Sequence, residues 1–131
     1  MTSRRGFLAG ATGLATLGLT SPVLAEGTMY GLIGKMTAVA GRRDELTTIL
    51  LEGLGRMPGC LSYVVAHDPQ DADAIWVTEV WTDETAHRAS LQVPEVKAAI
   101  QQGLPLIETF SDAVTTTPIG GVGLASPAGH G

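Results

Sequence analysis

The stretch that decides the fold is Cys60-Leu61-Ser62-Tyr63-Val64-Val65-Ala66-His67, then Asp68-Pro69-Gln70-Asp71-Ala72-Asp73, then, after Ala74, Ile75-Trp76-Val77-Thr78-Glu79-Val80-Trp81. The first run is dense in β-branched and aromatic residues, which fit a pleated, half-buried surface. The second is polar and holds a proline, so it reads as a connection. The third separates by alternation into Ile75, Val77, Glu79 and Trp81 on one side and Trp76, Thr78 and Val80 on the other. Two strands with a short polar loop between them predict an antiparallel hairpin. Apolar residues on both sides of the third run predict a sheet covered on both faces.

Working outward, Met29 to Val39 alternates loosely around Tyr30, Leu32 and Met36 and reads as a first strand. Ala40-Gly41 is a turn. Leu46, Ile49, Leu50, Gly53, Leu54 and Met57 then recur at helical spacing. Asp44 and Glu45 sit in the first turn, where the helix dipole favours acids. Glu52 and Arg56 are a helical i,i+4 pair, and Pro58-Gly59 is read as the stop. After the hairpin, Asp83 to Leu91 reads as a short helix. A second opens at Pro94, with Val96, Ile100 and Leu104 on one face, and ends at Gly103 and Pro105. Phe110 to Thr117 reads as a last strand, and 118–131 as a mobile tail. The order β-α-β-β-α-(α)-β predicts an α+β, ferredoxin-like split βαβ fold. Four strands with helices on one face leave the other face bare. An apolar bare face requires a partner, so a homodimer with sheets packed face to face is expected.

The chain has 131 residues, 8 Lys+Arg against 13 Asp+Glu, and a formal charge of −5. This length accommodates one sizeable core. The acidic balance argues against nucleic acid as a partner. The single cysteine, Cys60, excludes a disulfide within the chain and any multi-cysteine metal site.

Residues 1–25 read as an address. Ser3-Arg4-Arg5-Gly6-Phe7-Leu8-Ala9 precedes a mildly apolar stretch, and small residues before Glu26 suit a peptidase acting after Ala25. The segment resembles a twin-arginine export signal, with Ala9 where lysine is usual. The expectation is recognition by the twin-arginine translocation machinery and a periplasmic or extracellular location. Loss of Arg4 and Arg5 would leave thirteen acidic against six basic residues.

Four segments together resemble the antibiotic biosynthesis monooxygenase (ABM) family of dimeric α/β barrels. They are Gly41-Arg42-Arg43-Asp44-Glu45-Leu46; Pro58-Gly59-Cys60-Leu61-Ser62-Tyr63; Glu79-Val80-Trp81 with Thr82-Asp83-Glu84; and Pro94 opening the last helix. The resemblance covers about residues 29–117, and the domain is placed at 26–117. It implies oxidation of a small phenol or hydroquinone by O2 with no flavin, haem or metal. A deprotonated hydroquinone is itself a strong reductant, so the protein must hold it in an apolar pocket, take a proton and exclude water.

The resemblance points to Trp81 and Tyr63 as substrate-binding residues, and to Glu79, His67 or His87 as the base. Each has a plainer reading: Trp81 and Tyr63 as core, Glu79 as a structural carboxylate, His67 as a solvated strand end, His87 as a surface helix position. Many quinol-oxidising members carry histidines where this chain has Ser90 and Glu95, and the haem-degrading branch carries one near Ile100. No metal ligand set is read: Asp68, Asp71 and Asp73 lack the glycine and terminal glutamate of a calcium loop. The alternative function is a non-catalytic binding protein for a quinone or other aromatic ligand.

Overall fold

The computed structural model describes residues 28–54 and 57–125. The export-signal reading and the Glu52–Arg56 pair therefore lie outside the described residues. The elements run β1 (Tyr30–Ala38), α1 (Arg43–Gly53), β2 (Cys60–His67), β3 (Ala74–Trp81), α2 (Glu84–Ser90), α3 (Pro94–Gly103), a 3-10 turn (Leu104–Leu106) and β4 (Ile107–Thr116). The four strands form one antiparallel sheet in the order β2-β3-β1-β4. This is the expected ferredoxin-like topology: the hairpin lies at one side and β1 is inserted between β3 and β4. Among the described residues, no helix is long and apolar enough to cross a membrane.

Register assigns the side chains to two faces. On the helix side, Tyr63, Glu79 and Leu32 form one cross-strand row, and His67, Ile75, Met36 and Phe110 another. On the opposite face, Val64, Thr78, Ile33 and Val114 form a row, with Val64 and Val114 exposed. The core lies under the helices: Ala38, Leu46, Leu50, Ile75, Val77 and Leu106 pack together. Leu46, Ile75 and Trp81 are the largest fully buried side chains.

Some boundaries differ from the sequence reading. Helix α1 stops at Gly53, not at Met57. Gly53 is a weak helix former, and a Cβ there would collide with Ala99 of α3. Pro58-Gly59 instead forms the turn into β2. Gly59 has φ +83, Cys60 N–H donates to the Met57 carbonyl at 3.0 Å, and Thr82 N–H donates to the Gly59 carbonyl at 2.9 Å. Strand β4 starts three residues before Phe110, because β1 supplies the partner: Ala38 lies opposite Ile107, and Val39 N–H donates to the Leu106 carbonyl at 2.8 Å. Asp83, read as the first residue of α2, is instead its N-cap, with Asp83 Oδ1 accepting from Ala86 N–H at 2.7 Å. Within the region read as a tail, Ala125 N–H donates to the Leu61 carbonyl at 2.9 Å, which anchors residues after β4 to the far edge strand.

Candidate active site

A cavity of about 210 Å³ lies between the helix side of the sheet and the helices. Its walls come from every layer: Met36 of β1, Leu46 and Leu50 of α1, Tyr63 of β2, Val77, Glu79 and Trp81 of β3, His87 and Ser90 of α2, Val96 and Ile100 of α3, and Phe110 of β4. The apolar members are the same residues whose spacing made amphipathic helices and alternating strands, so the stripes that build the core also build the wall.

The polar groups converge at one end. Trp81 is 1% exposed, and its Nε1–H donates to Glu79 Oε1 at 2.9 Å. The pair is possible because residues two apart on a strand share a face. The bond satisfies a buried indole and fixes the carboxylate. Among the described residues, Glu79 Oε2 has no hydrogen-bond partner, so this oxygen is available to a ligand proton. Tyr63 stands opposite Glu79 on β2. Burial first, then the negative charge of Glu79, then Cys60, pushes the Tyr63 phenol well above its ordinary value of 10.0. Tyr63 is therefore a hydrogen-bond donor that keeps its proton at neutral pH. Cys60, at the start of β2, is also raised from 9.0, mainly by burial. That makes it a poor nucleophile.

His87 reaches the cavity from α2. Its ring lies edge-on to Trp81 at 5.2 Å between centroids and tilted to Tyr30 at 5.4 Å. Tyr30 had not stood out in the sequence as part of this cluster. Its β1 position opposite Trp81, known only from the register, brings it there. Ser90 is buried and lines the cavity, but its hydroxyl donates to the His87 carbonyl at 2.6 Å. That bond commits the Ser90 proton to the helix backbone.

Four of the five residues picked from sequence, Glu79, Trp81, Tyr63 and His87, thus come together around one cavity. His67 does not line it. It shares the helix face with Tyr63 but lies four residues further along β2, and its Nε2 is 3.1 Å from Thr47 Oγ1 on α1. Nor do the hairpin aspartates gather as a ligand set. Asp68 accepts from Gln70 N–H at 2.7 Å and from Trp76 Nε1 at 3.0 Å and pairs with Lys35 at 3.6 Å; Asp71 accepts from Asp73 N–H at 2.9 Å. These bonds close the loop between β2 and β3. Arg43 holds the same loop from α1, donating to the Asp71 carbonyl at 3.0 Å and to those of Asp68 and Ala74 at 3.4 Å. Among the described residues, no group of three or more His, Cys, Asp and Glu could hold a metal ion.

The sequence profile of the antibiotic biosynthesis monooxygenase family matches residues 29–102. Among solved structures, a Chloroflexus aurantiacus J-10-fl protein that carries this family's name is 57% identical, with a TM-score of 0.72 over 74% of this chain and 99% of its own. A Caulobacter crescentus CB15 protein carrying the same name is 16% identical, with a TM-score of 0.65 over 76% of this chain and 98% of its own. SnoaB of Streptomyces nogalater, a cofactor-independent oxygenase, is 18% identical, with a TM-score of 0.60 over 72% and 96%. The last two likenesses show the fold alone. No curated protein matches the chain.

Proposed function

The chain belongs to the antibiotic biosynthesis monooxygenase family, and from that premise we propose that it is an exported, cofactor-independent oxygenase acting on a small phenol or hydroquinone. The observation that carries the reading is the Glu79–Trp81 pair facing an apolar cavity large enough for an aromatic ring. An engineered apolar cavity of about 150 Å³ is known to take benzene, so the volume here suits a substituted or bicyclic ring.

In this reading, Glu79 Oε2 accepts a proton from one ring hydroxyl, while Tyr63 donates a hydrogen bond to a ring oxygen. His87 is the second candidate for the proton. Trp81 holds the carboxylate and walls the ring. The apolar lining excludes bulk water, which would otherwise compete with Glu79 and Tyr63 for the ring oxygens. The deprotonated ring is then the reductant. Hydroquinone transfers two electrons and two protons to O2, giving quinone and hydrogen peroxide. Where a ring CH2 is the reacting centre, one oxygen atom becomes its carbonyl and the other leaves as water with the two hydrogens. SnoaB's description as a cofactor-independent oxygenase supports this class of chemistry by analogy of fold only. His67, held at Thr47, serves the fold of β2 against α1 in this reading.

We also propose a homodimer formed through the face bearing Val64, Ile33 and Val114, and export through the twin-arginine pathway. Sedimentation tests the first, and loss of export in an Arg4→Lys, Arg5→Lys double variant tests the second. Oxygen uptake with naphthohydroquinones at neutral pH tests the chemistry, with isotopically labelled O2 separating oxidase from monooxygenase. Substrate loss no faster with protein than in buffer overturns it. The second reading, retention of a quinone without turnover, is favoured by Ser90, whose hydroxyl lines the cavity but is tied to the His87 carbonyl and so takes no proton from a ligand. Tight binding with no oxygen uptake would establish it.

A further inference from the structure

Resting on that reading of the cavity, we propose that the substrate ring carries an aliphatic chain, which runs along the sheet from Glu79 and leaves between Leu104 and Phe110. Polarity is sorted along the cavity. The carboxylate of Glu79 and the phenol of Tyr63 occupy one cross-strand row, with His87 above them. Met36 and Phe110, which also line the cavity, face one another in the row of Ile75. Ile75 precedes Glu79 by four residues, so the two ends lie roughly 13 Å apart along β3. A single ring seated at Glu79 leaves that far end unfilled.

The far end is also where large apolar groups meet solvent. Of the exposed large apolar residues that line the cavity, Phe110 at 64% and Leu104 at 51% are the more open, ahead of Leu91 at 40% after α2. Side chains that touch the cavity and solvent together mark a mouth. A small polar phenol gains nothing from an apolar mouth, whereas each methylene buried there improves binding about fourfold. The arrangement fits a molecule with an oxygenated ring at one end and hydrocarbon at the other.

The test is calorimetric titration of the full chain with 1,4-naphthoquinone, with its 2-decyl derivative, and with decanoic acid. The expected result is decyl binding at least about tenfold tighter than the parent, with decanoic acid much weaker than either. Leu104→Ser and Phe110→Ser should each cut the decyl-to-parent ratio, and the double variant should bring it to within about twofold. Both positions are exposed, and circular dichroism checks that the variants fold. Equal affinity for the two quinones, or a decyl preference untouched by the double variant, overturns the chain-binding mouth while leaving the oxygenase reading standing. Decanoic acid binding as tightly as the decyl quinone overturns ring recognition at Glu79. Failure of both quinones to bind removes both proposals together.

Discussion

Trp81 and Glu79 are joined through Nε1–H and Oε1 at 2.9 Å, two residues apart on one strand, with the indole almost wholly out of solvent. The bond settles the indole's need for an acceptor and holds the Glu79 carboxylate where it lines the cavity. Structure and chemistry at the site are therefore separable by choice of substitution.

Glu79→Gln keeps an oxygen for the indole and removes the proton acceptor. The expected outcome is a fold of near-native stability and a fall of about 10²–10⁴ in kcat, the usual worth of a positioned general base. Trp81→Phe does the converse: it leaves Glu79 Oε1 without its donor and should cost about 1–3 kcal/mol in urea unfolding. A Glu79→Gln enzyme with unchanged kcat would move the base to His87, and His87→Gln then becomes the informative variant.

Alkaline unfolding should be governed by Tyr63 and Cys60. Both are half-buried acids whose folded pKa lies above the unfolded values of 10.0 and 9.0. Above those values the unfolded chain gives up protons that the native state keeps, so native stability is full below about pH 9 and declines as pH rises. Tyr63→Phe should flatten the decline above pH 10, measured as Tm against pH. An unaltered alkaline limb would show that the phenol is not the controlling group.

The thiol of Cys60 makes a separate and simpler prediction. With its pKa pushed up by burial, little thiolate exists at neutral pH. Reaction with a chromogenic disulfide should be at least about tenfold slower in the native protein than in urea. Equal rates would mean that the start of β2 opens readily.

Asp68 predicts the acid limb. Hydrogen bonds from Gln70 N–H and the Trp76 indole, with the charge of Lys35, hold its carboxyl below the ordinary 3.8. The stabilisation is present above that value and is lost as pH falls through the lower folded value, because protonation then removes the negative charge that these partners hold. Asp68→Asn should lower Tm at neutral pH and reduce its dependence on pH below 4. A wild-type acid profile in the variant would place the acid-sensitive group elsewhere.

Packing offers the last test. Leu46 is fully buried between α1 and the sheet and also lines the cavity. Leu46→Ala should cost about 2–5 kcal/mol. Leu46 has no accessible surface, so its truncation loses a full set of contacts and leaves a void that urea unfolding will register.

Much of this molecule was legible from residue order alone. The alternation of Ile75 to Trp81 fixed a strand with Glu79 and Trp81 on one face, because side chains on a strand repeat every two residues whatever the partner strand. The stripe from Leu46 to Leu50 identified the buried face of α1 for the matching reason in a helix. What lay beyond reach were relations between elements distant in sequence. Nothing local distinguishes His67, spent on Thr47, from His87, beside Trp81; strand register and helix placement decide that. Tyr30 reaches the His87 ring only because β1 inserts between β3 and β4, and Gly53 ends α1 where Ala99 of another helix lies against it. Periodicity follows from backbone geometry and is written in each segment, whereas proximity depends on how the segments close around a shared interior, and only the folded chain supplies it.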